Sequence, residues 1–420
     1  MNTPTVSGQV QDYDVIVVGA GAAGLAATKA LLDAGRSVIC LEAGDRIGGR
    51  THTDTEVFGV PIDLGAHWLH YGPINPFVDI GRALGFDIYP TPDRWLPGAN
   101  DPARALIEHE VETLDDQLSH RATHGPDISM AEAFERSASD YSLTALMLHS
   151  LSMGRELDQI SLLEWSREPE DEDWFCREGF GALVKAHAGP LPVRLDTPVQ
   201  AITRTRDGVE VCTPDSRATA HTAIVTVSQG VLASDAIRFD PVLDHDRRRA
   251  IEAITMGIYN HVALQFPPGY LPVEPDTWVS EHITEMRNGA PWGGGFHLDT
   301  SGTGVVLYES SGRLASDLEA AGETAAIDFA LDRLCGVFGN GIRKEFLKGH
   351  ATRWGQNPLI RGSYSGALPG TTDLRSRLGQ PHVERIHFAG EATHPHQMAT
   401  VAGAHEEGLR AAQEVLASLG

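Results

Sequence analysis

The sequence predicts an α/β fold whose parallel sheet is assembled from separated stretches of chain, with a mixed α+β part set against it. Three observations carry this. A valine- and isoleucine-rich run, Asp14–Val18, flows into Gly19-Ala20-Gly21-Ala22-Ala23-Gly24 and then into a helical pattern. A second strand-like run, Ile386–Ala389, is followed by a loop and a helical pattern from about Val401 to the C-terminus. The chain has 420 residues, too many for one ordinary core, so two domains are the natural expectation.

Taken in order, Asp14–Val18 has the continuous apolar character of a strand buried on both faces. The helical pattern spans about Ala22–Ala34 and is closed by Gly35. Ser37–Leu41 reads as a second buried strand and ends at Glu42. Each part has a task in holding a dinucleotide. Gly19 permits the tight turn, Gly21 lets the backbone approach a pyrophosphate, and Gly24 lets the helix lie close on the strand. The helix N-terminus offers free N–H groups and partial positive charge to the phosphates. Glu42 stands where a carboxylate accepts from ribose hydroxyls. Strand, glycines, helix, second strand and acid in register favour dinucleotide binding over a purely structural turn. Gly48-Gly49 then makes another flexible turn, and Arg50 brings a cation that can sit on the pyrophosphate. Read alone, this stretch fits an ordinary surface loop equally well. At the far end, Gly390-Glu391 closes the strand and Thr400 is placed to cap the last helix. A second helix N-terminus suits a flavin, which gathers negative charge near N1 and O2 on reduction.

Composition narrows the partners. Apolar residues make up 41%, enough for a sizeable core, and the formal net charge is −24. An acidic chain argues against nucleic acid or an anionic membrane as partner and is compatible with a cationic substrate. There is no apolar run of membrane-spanning length. The opening "MNTPTVSGQVQDYD" lacks the basic and apolar regions of a secretory signal. Cys40, Cys176, Cys212 and Cys335 have neither metal-like nor disulfide-like spacing, so no metal site is expected and a reducing cytoplasm fits.

Together these stretches resemble the flavin-containing amine oxidase family, which includes monoamine oxidases, polyamine oxidases and histone demethylases. The resemblance spans nearly the whole chain. It rests on the glycine fingerprint with Glu42, "GDRIGGRTHT", "IDLGAHWLHYGPINPF", "TPVQAI", "IVTVSQGVL", "NHVALQF", "WGQNPLIRGSYS" and "FAGEATHPHQMATVAGA", in that order. It implies a discontinuous Rossmann-like FAD-binding domain at 12–67, 180–254 and 370–420. Residues 68–179, mainly helical in pattern, and 255–369 would form the substrate-binding domain, with the flavin at the interface. The demethylases' extra helical module and long coiled coil are not expected.

Carried over by position, Gly19, Gly21, Gly24 and Glu42 would bind the adenosine half of FAD, with Gly49 and Arg50 at the pyrophosphate. Gly65, Ala66, His67 and Trp68 would line the flavin and the substrate entrance. Val199 would offer backbone groups to the adenine. Glu391, Thr400 and Val401 would hold the ribityl chain and the pyrimidine. Ser363 stands where monoamine oxidases carry the cysteine that binds flavin covalently, so the FAD is expected to be non-covalent.

Trp354 and Tyr364 resemble the aromatic residues that face the flavin, although alone they read as core aromatics. The second aromatic wall of monoamine oxidases is replaced by Thr400, as in polyamine oxidases. "GAHW" around His67 resembles acetylpolyamine oxidases, and no arginine for an amino-acid carboxylate lies nearby; a packed, hydrogen-bonded histidine is the alternative. The five carboxylates of "REPEDEDWF" (167–175) would attract a polyamine, but a solvated acidic loop is the favoured reading.

The family's lysine near flavin N5 is replaced by His261. Strand alternation puts Val262, Leu264 and Phe266 on one face and His261, Ala263 and Gln265 on the other. Burial would favour a neutral ring there, either tuning proton handling or only filling space. The expected activity is oxidation of an amine C–N bond to an imine, with dioxygen reduced to hydrogen peroxide and a polyamine as substrate. The alternatives are a monoamine oxidase, an amine dehydrogenase with poor oxygen reactivity, a flavin desaturase acting on a non-amine, and a flavin scaffold without turnover. The sequence does not fix the oligomeric state.

Overall fold

The computed structural model describes residues 11–96, 102–135, 142–169, 172–287 and 290–419. Its larger sheet has eight strands. Gln11–Val18 lies between two parallel neighbours, Val38–Leu41 and Arg217–Val225. Val193–Arg194 extends the sheet parallel to Val38–Leu41. On the other side Val209–Cys212, Ala201–Arg204 and Arg238–Asp240 follow Arg217–Val225. Ile386–Phe388, from the C-terminal end, pairs in parallel with the last residues of Arg217–Val225.

The apolar run that marks the first strand serves both faces of this sheet. Val15 and Val17 enter the core shared with the Ala22–Asp33 helix, whereas Ile16 and Val18 enter the core beneath it with Ile39, Leu41 and Phe388. The C-terminal helix, Val401–Leu419, lies against Ala22–Asp33, and Ala411, Ala412 and Val415 join the first core. Gly35 has φ +76 just past the helix, and the Thr400 hydroxyl accepts from Gly403 N at 2.9 Å to cap the last helix.

The second sheet has six strands, ordered Lys348–Ala351, Tyr259–Gln265, Val305–Ser311, Gly295–Leu298, Thr277–Ser280 and Trp95–Leu96. Val262, Leu264 and Phe266 pack under the Glu323–Phe338 helix, meeting Ala326, Ala330, Leu331 and Leu334. Ala263 lies on the opposite face with Phe58, Ile62, Leu64, Val305 and Leu307. The alternation predicted for this strand is therefore observed.

The stretch before it is largely helical, with Pro76–Leu84, Pro102–His124, Met130–Glu135 and Leu143–Met153. The pattern at 136–141 lies outside the described residues, as does most of the opening segment. A buried polar chain ties this helical region to the large cleft. Glu164 accepts from Arg375 Nε at 2.8 Å, Arg375 donates to Ser365 Oγ at 2.9 Å, and Ser365 Oγ donates to Glu391 at 2.7 Å. Glu164 and Arg375, both buried, thus pair with each other, as burial of charge requires.

The fold is thus α/β, with a mostly parallel dinucleotide-type sheet and a mixed sheet beside it. No helix of the described residues is long and apolar enough to cross a membrane. All four cysteines are free, and burial pushes the Cys40 and Cys176 thiols up to about 12.

Candidate active site

A single cavity of about 1020 Å³ runs between the two sheets. That is the upper end of the range for ligand clefts, roughly 300–1,000 Å³. Its wall collects Gly19, Gly21, Glu42, Gly49, Arg50, Gly65, Ala66, His67, Trp68, Val199, His261, Trp354, Tyr364, Glu391, Thr400 and Val401. Of the residues expected at the site, Gly24 alone is not on the wall, and its position explains why. A Cβ there would lie 1.9 Å from the Gly19 carbonyl oxygen. Gly24 therefore lets the helix seat on the turn and touches no ligand.

Gly19 has φ +101, which makes the turn out of the strand. Gly21 is different. It has φ −76 and ψ −178, open to any residue, and a Cβ would meet nothing within 4 Å. Nothing in the protein itself requires glycine there, and the open space lies against the helix N-terminus. Glu42 is aimed at the same place, its carboxylate accepting from Ala20 N at 2.6 Å and Gly44 N at 2.8 Å. The donor set and the open glycine fit the diphosphate and ribose of a dinucleotide.

Arg50 lies on the wall but donates to Glu391 at 2.7 Å and to the Ser363 carbonyl at 2.9 Å. Burial works against charge on Glu391, but Arg50 and Ser365 outweigh it and hold the carboxyl below its ordinary range. The Ser363 hydroxyl donates to Tyr259 O at 2.7 Å and accepts from Tyr259 N at 2.8 Å.

The opposite end of the cavity is aromatic. Trp68 stacks on Trp278 at 4.9 Å, and Trp278 stacks on His297 at 4.1 Å. Trp354 is buried and donates from Nε1 to Leu64 O at 3.0 Å, while the Tyr364 hydroxyl donates to Ser152 O at 2.9 Å. His67 and His261 are buried with their rings 4.9 Å apart. Burial first, and neighbouring histidines next, pull His67 well below its ordinary value and His261 down to about 3. Both rings are neutral near pH 7.

Sequence reasoning missed Glu309. It sits directly across the strand pair from His261, and its Oε1 is 3.4 Å from His67 Nε2. Burial raises its carboxyl, partly offset by His261 and by the Tyr259 hydroxyl. A signal was present, because Glu309 follows Val305 and Leu307 on one face of a strand whose first four residues are Val, Val, Leu and Tyr.

The acidic stretch at 167–175 needs a correction. It is not simply a solvated loop: Glu168 and Asp173 line the cavity. Burial raises Glu168 to about 7, opposed by His70. Asp173 pairs with His70 Nδ1 at 3.1 Å, and against burial this pairing raises His70 and lowers Asp173. A two-strand pairing of Ile88–Pro90 with Trp174–Cys176 anchors the chain immediately after Asp173. Glu170 and Asp171 lie outside the described residues.

A dinucleotide cradle opening into an aromatic, acid-edged chamber defines a cofactor-dependent oxidoreductase for a cationic substrate. The chain belongs to the flavin containing amine oxidoreductase family, which matches it over residues 22–96 and 96–416. It is 30% identical to polyamine oxidase 4 of Oryza sativa subsp. japonica, across 98% of this chain and 90% of that protein. It is 32% identical to polyamine oxidase 3 of the same organism, across 95% of this chain and 88% of that protein. Among solved structures, wild-type putrescine oxidase bound to putrescine superposes with a TM-score of 0.76 at 20% identity, covering 97% of this chain and 100% of that one.

Proposed function

We propose that this chain is an FAD-dependent amine oxidase that acts on polyamines and holds its FAD without a covalent bond. The observation that carries the proposal is the continuity of one cavity from Gly21 and Glu42, through His67 and His261, to Glu168 and Asp173. The naming of its relatives as polyamine oxidases, and of its structural neighbour as a putrescine oxidase, supports the same substrate class. Residues 12–67, 180–254 and 370–420 would form the FAD-binding domain and 68–179 and 255–369 the substrate-binding domain. The strands of the eight-stranded and six-stranded sheets divide along this line to within one residue.

Gly21 and the first helix N-terminus would hold the pyrophosphate, with Gly49 and Arg50 beside it. Glu42 would take the adenosine ribose, and Val199 the adenine. Glu391 and the N-terminus of the last helix at Thr400 and Val401 would hold the ribityl chain and the pyrimidine edge. When bound, a flavin would supply the redox chemistry, as the acceptor of two electrons from the amine's C–N unit that are returned to dioxygen as hydrogen peroxide.

The protein's own residues prepare the amine. Gly65, Ala66, Trp68, Trp354 and Tyr364 form the walls that align its α-carbon and exclude water. The neutral imidazoles of His67 and His261 present ring nitrogens that can accept a hydrogen bond from the amine and so hold it in place. Glu168 and Asp173 face the far end, where a polyamine carries a second charge. The imine product then hydrolyses in water to an aldehyde and an amine.

Incubating the protein with polyamines and monoamines while measuring peroxide tests the reading. Peroxide from spermine-type amines and little from phenethylamine is the expected result; the reverse defeats the polyamine assignment. Acid precipitation should leave the yellow flavin in the supernatant, because a serine at 363 cannot form a thioether. Flavin remaining in the pellet would defeat non-covalent binding.

A further inference from the structure

Beside the aromatic chamber, buried polar atoms are left idle. His67 Nε2, Glu309 Oε1 and both ring nitrogens of His261 have no hydrogen-bond partner. Buried polar groups of this kind are rare and demand a partner. One donor atom from each of the three residues lies within 4.8 Å of the others.

The Gly65 backbone interacts with the His67 ring while Nε2 has no partner, which assigns the ring proton to Nδ1 and the lone pair to Nε2. That lone pair faces Glu309 Oε1 at 3.4 Å. Two acceptors in this position repel each other unless a cation lies between them. The only arginine on the cavity wall among the described residues, Arg50, is already paired with Glu391. A proton on Glu309 would relieve this one contact but would leave both nitrogens of His261 unused.

We propose that His67, His261 and Glu309 form a site for a divalent, zinc-type metal ion, with the remaining coordination position open to the cavity. For metal–ligand bonds of about 2.1 Å, the His67–Glu309 pair at 3.4 Å subtends roughly 108° at the ion, and His261, with a donor within 4.8 Å of both, would complete the set by a side-chain adjustment. Two neutral imidazoles and one carboxylate are ligands that zinc accepts, and three protein ligands with an open position are a familiar zinc arrangement. The supporting groups are also in place. Gly65 fixes the His67 ring, and the Tyr259 hydroxyl bonds Glu309. His261 and Glu309 are rigid cross-strand neighbours. The sequence shows no metal-ligand spacing because positions 67, 261 and 309 meet only in the folded chain.

An ion there would occupy the place given above to the amine nitrogen, so metal and amine would exclude each other. That consequence rests on the proposed amine chemistry; the binding of the ion does not.

The test is to incubate flavin-loaded protein with Zn²⁺, pass it through gel filtration and count the retained zinc. Co²⁺ loading adds an absorption spectrum that reports tetrahedral ligation. Wild type should retain one zinc per chain. Glu309→Gln, His261→Ala and His67→Ala should each weaken binding by about tenfold or more, with flavin content unchanged. His120 and His124, stacked at 4.4 Å on an exposed helix, are the obvious adventitious pair. Replacing both with alanine should leave the count unaltered. No zinc in wild type, or equal zinc in the three site variants, overturns the proposal. Zinc that is retained but displaced by no amine upholds the site and counts against the amine reading alone.

Discussion

Gly21→Ala separates what the fold needs from what the ligand needs. The residue has ordinary φ and ψ, and the added methyl meets nothing within 4 Å. Replacing glycine by alanine narrows the unfolded ensemble, worth about 0.4–1 kcal/mol in favour of folding. Alanine is a poorer helix N-cap than glycine, which costs a similar amount, on the order of 1 kcal/mol. The two offset, so the melting temperature of the flavin-free protein should barely move. The methyl does stand where the pyrophosphate would approach the first helix. Losing one charge-assisted N–H to phosphate bond costs about 1.5–3 kcal/mol. That is roughly a 10- to 150-fold weaker FAD. Gly24→Ala is the contrasting variant. Its methyl would sit 1.9 Å from the Gly19 carbonyl and 2.9 Å from Thr226 Oγ1, so the fold itself must give. Overpacking of this kind costs about 1–3 kcal/mol or more, with or without FAD. Calorimetric melting of the flavin-free proteins and fluorescence titration with FAD measure both effects. A Gly21→Ala protein that melts early, or binds FAD as wild type does, would refute the argument that this glycine exists for the ligand.

Three further outcomes follow from residues that line the cavity. Burial pushes the Glu168 carboxyl up to about 7, so it is ionised above that value. A polyamine with a spare ammonium should therefore bind more tightly as pH rises from about 6 to about 8, and Glu168→Gln should flatten that dependence; binding constants for a polyamine and a monoamine across pH check this. Because burial raises this carboxyl, ionising it costs stability as pH rises, so Glu168→Gln should raise the flavin-free melting temperature more at the alkaline end. His261→Lys restores a fixed cation beside the flavin and should speed flavin reoxidation by dioxygen. Stopped-flow mixing of the reduced enzyme with oxygen would show it, and a slower or equal rate would mean that a cation at position 261 does not assist reoxidation.

Residues 11–50 were legible because their order is local. Strand, glycine turn, helix and second strand follow one another, and the cradle they make needs only the Gly390–Val401 end to join it. The face carrying His261 was legible for a similar reason, since alternation along one strand fixes it. What joins His261 there was not. Glu309 arrives by cross-strand register, His67 from a loop nearly two hundred residues earlier, and Glu168 and Asp173 from a segment anchored by the strand pairing that follows it. The reading of 167–175 as a solvated loop failed because charge density says nothing about which side of the chain faces a cavity. Arg50 and Glu391 were each matched to the cofactor, but their pairing with each other came only from tertiary structure.

The central claim, that this cavity reduces a flavin with amines, is tested most directly by anaerobic mixing. The purified, FAD-loaded protein is mixed with spermine-type amines and with phenethylamine, and the flavin absorption is followed in the absence of oxygen. The account predicts rapid bleaching by the polyamines, slowed by His67→Ala without loss of bound FAD. A flavin that stays oxidised with every amine, while FAD remains bound, would contradict it.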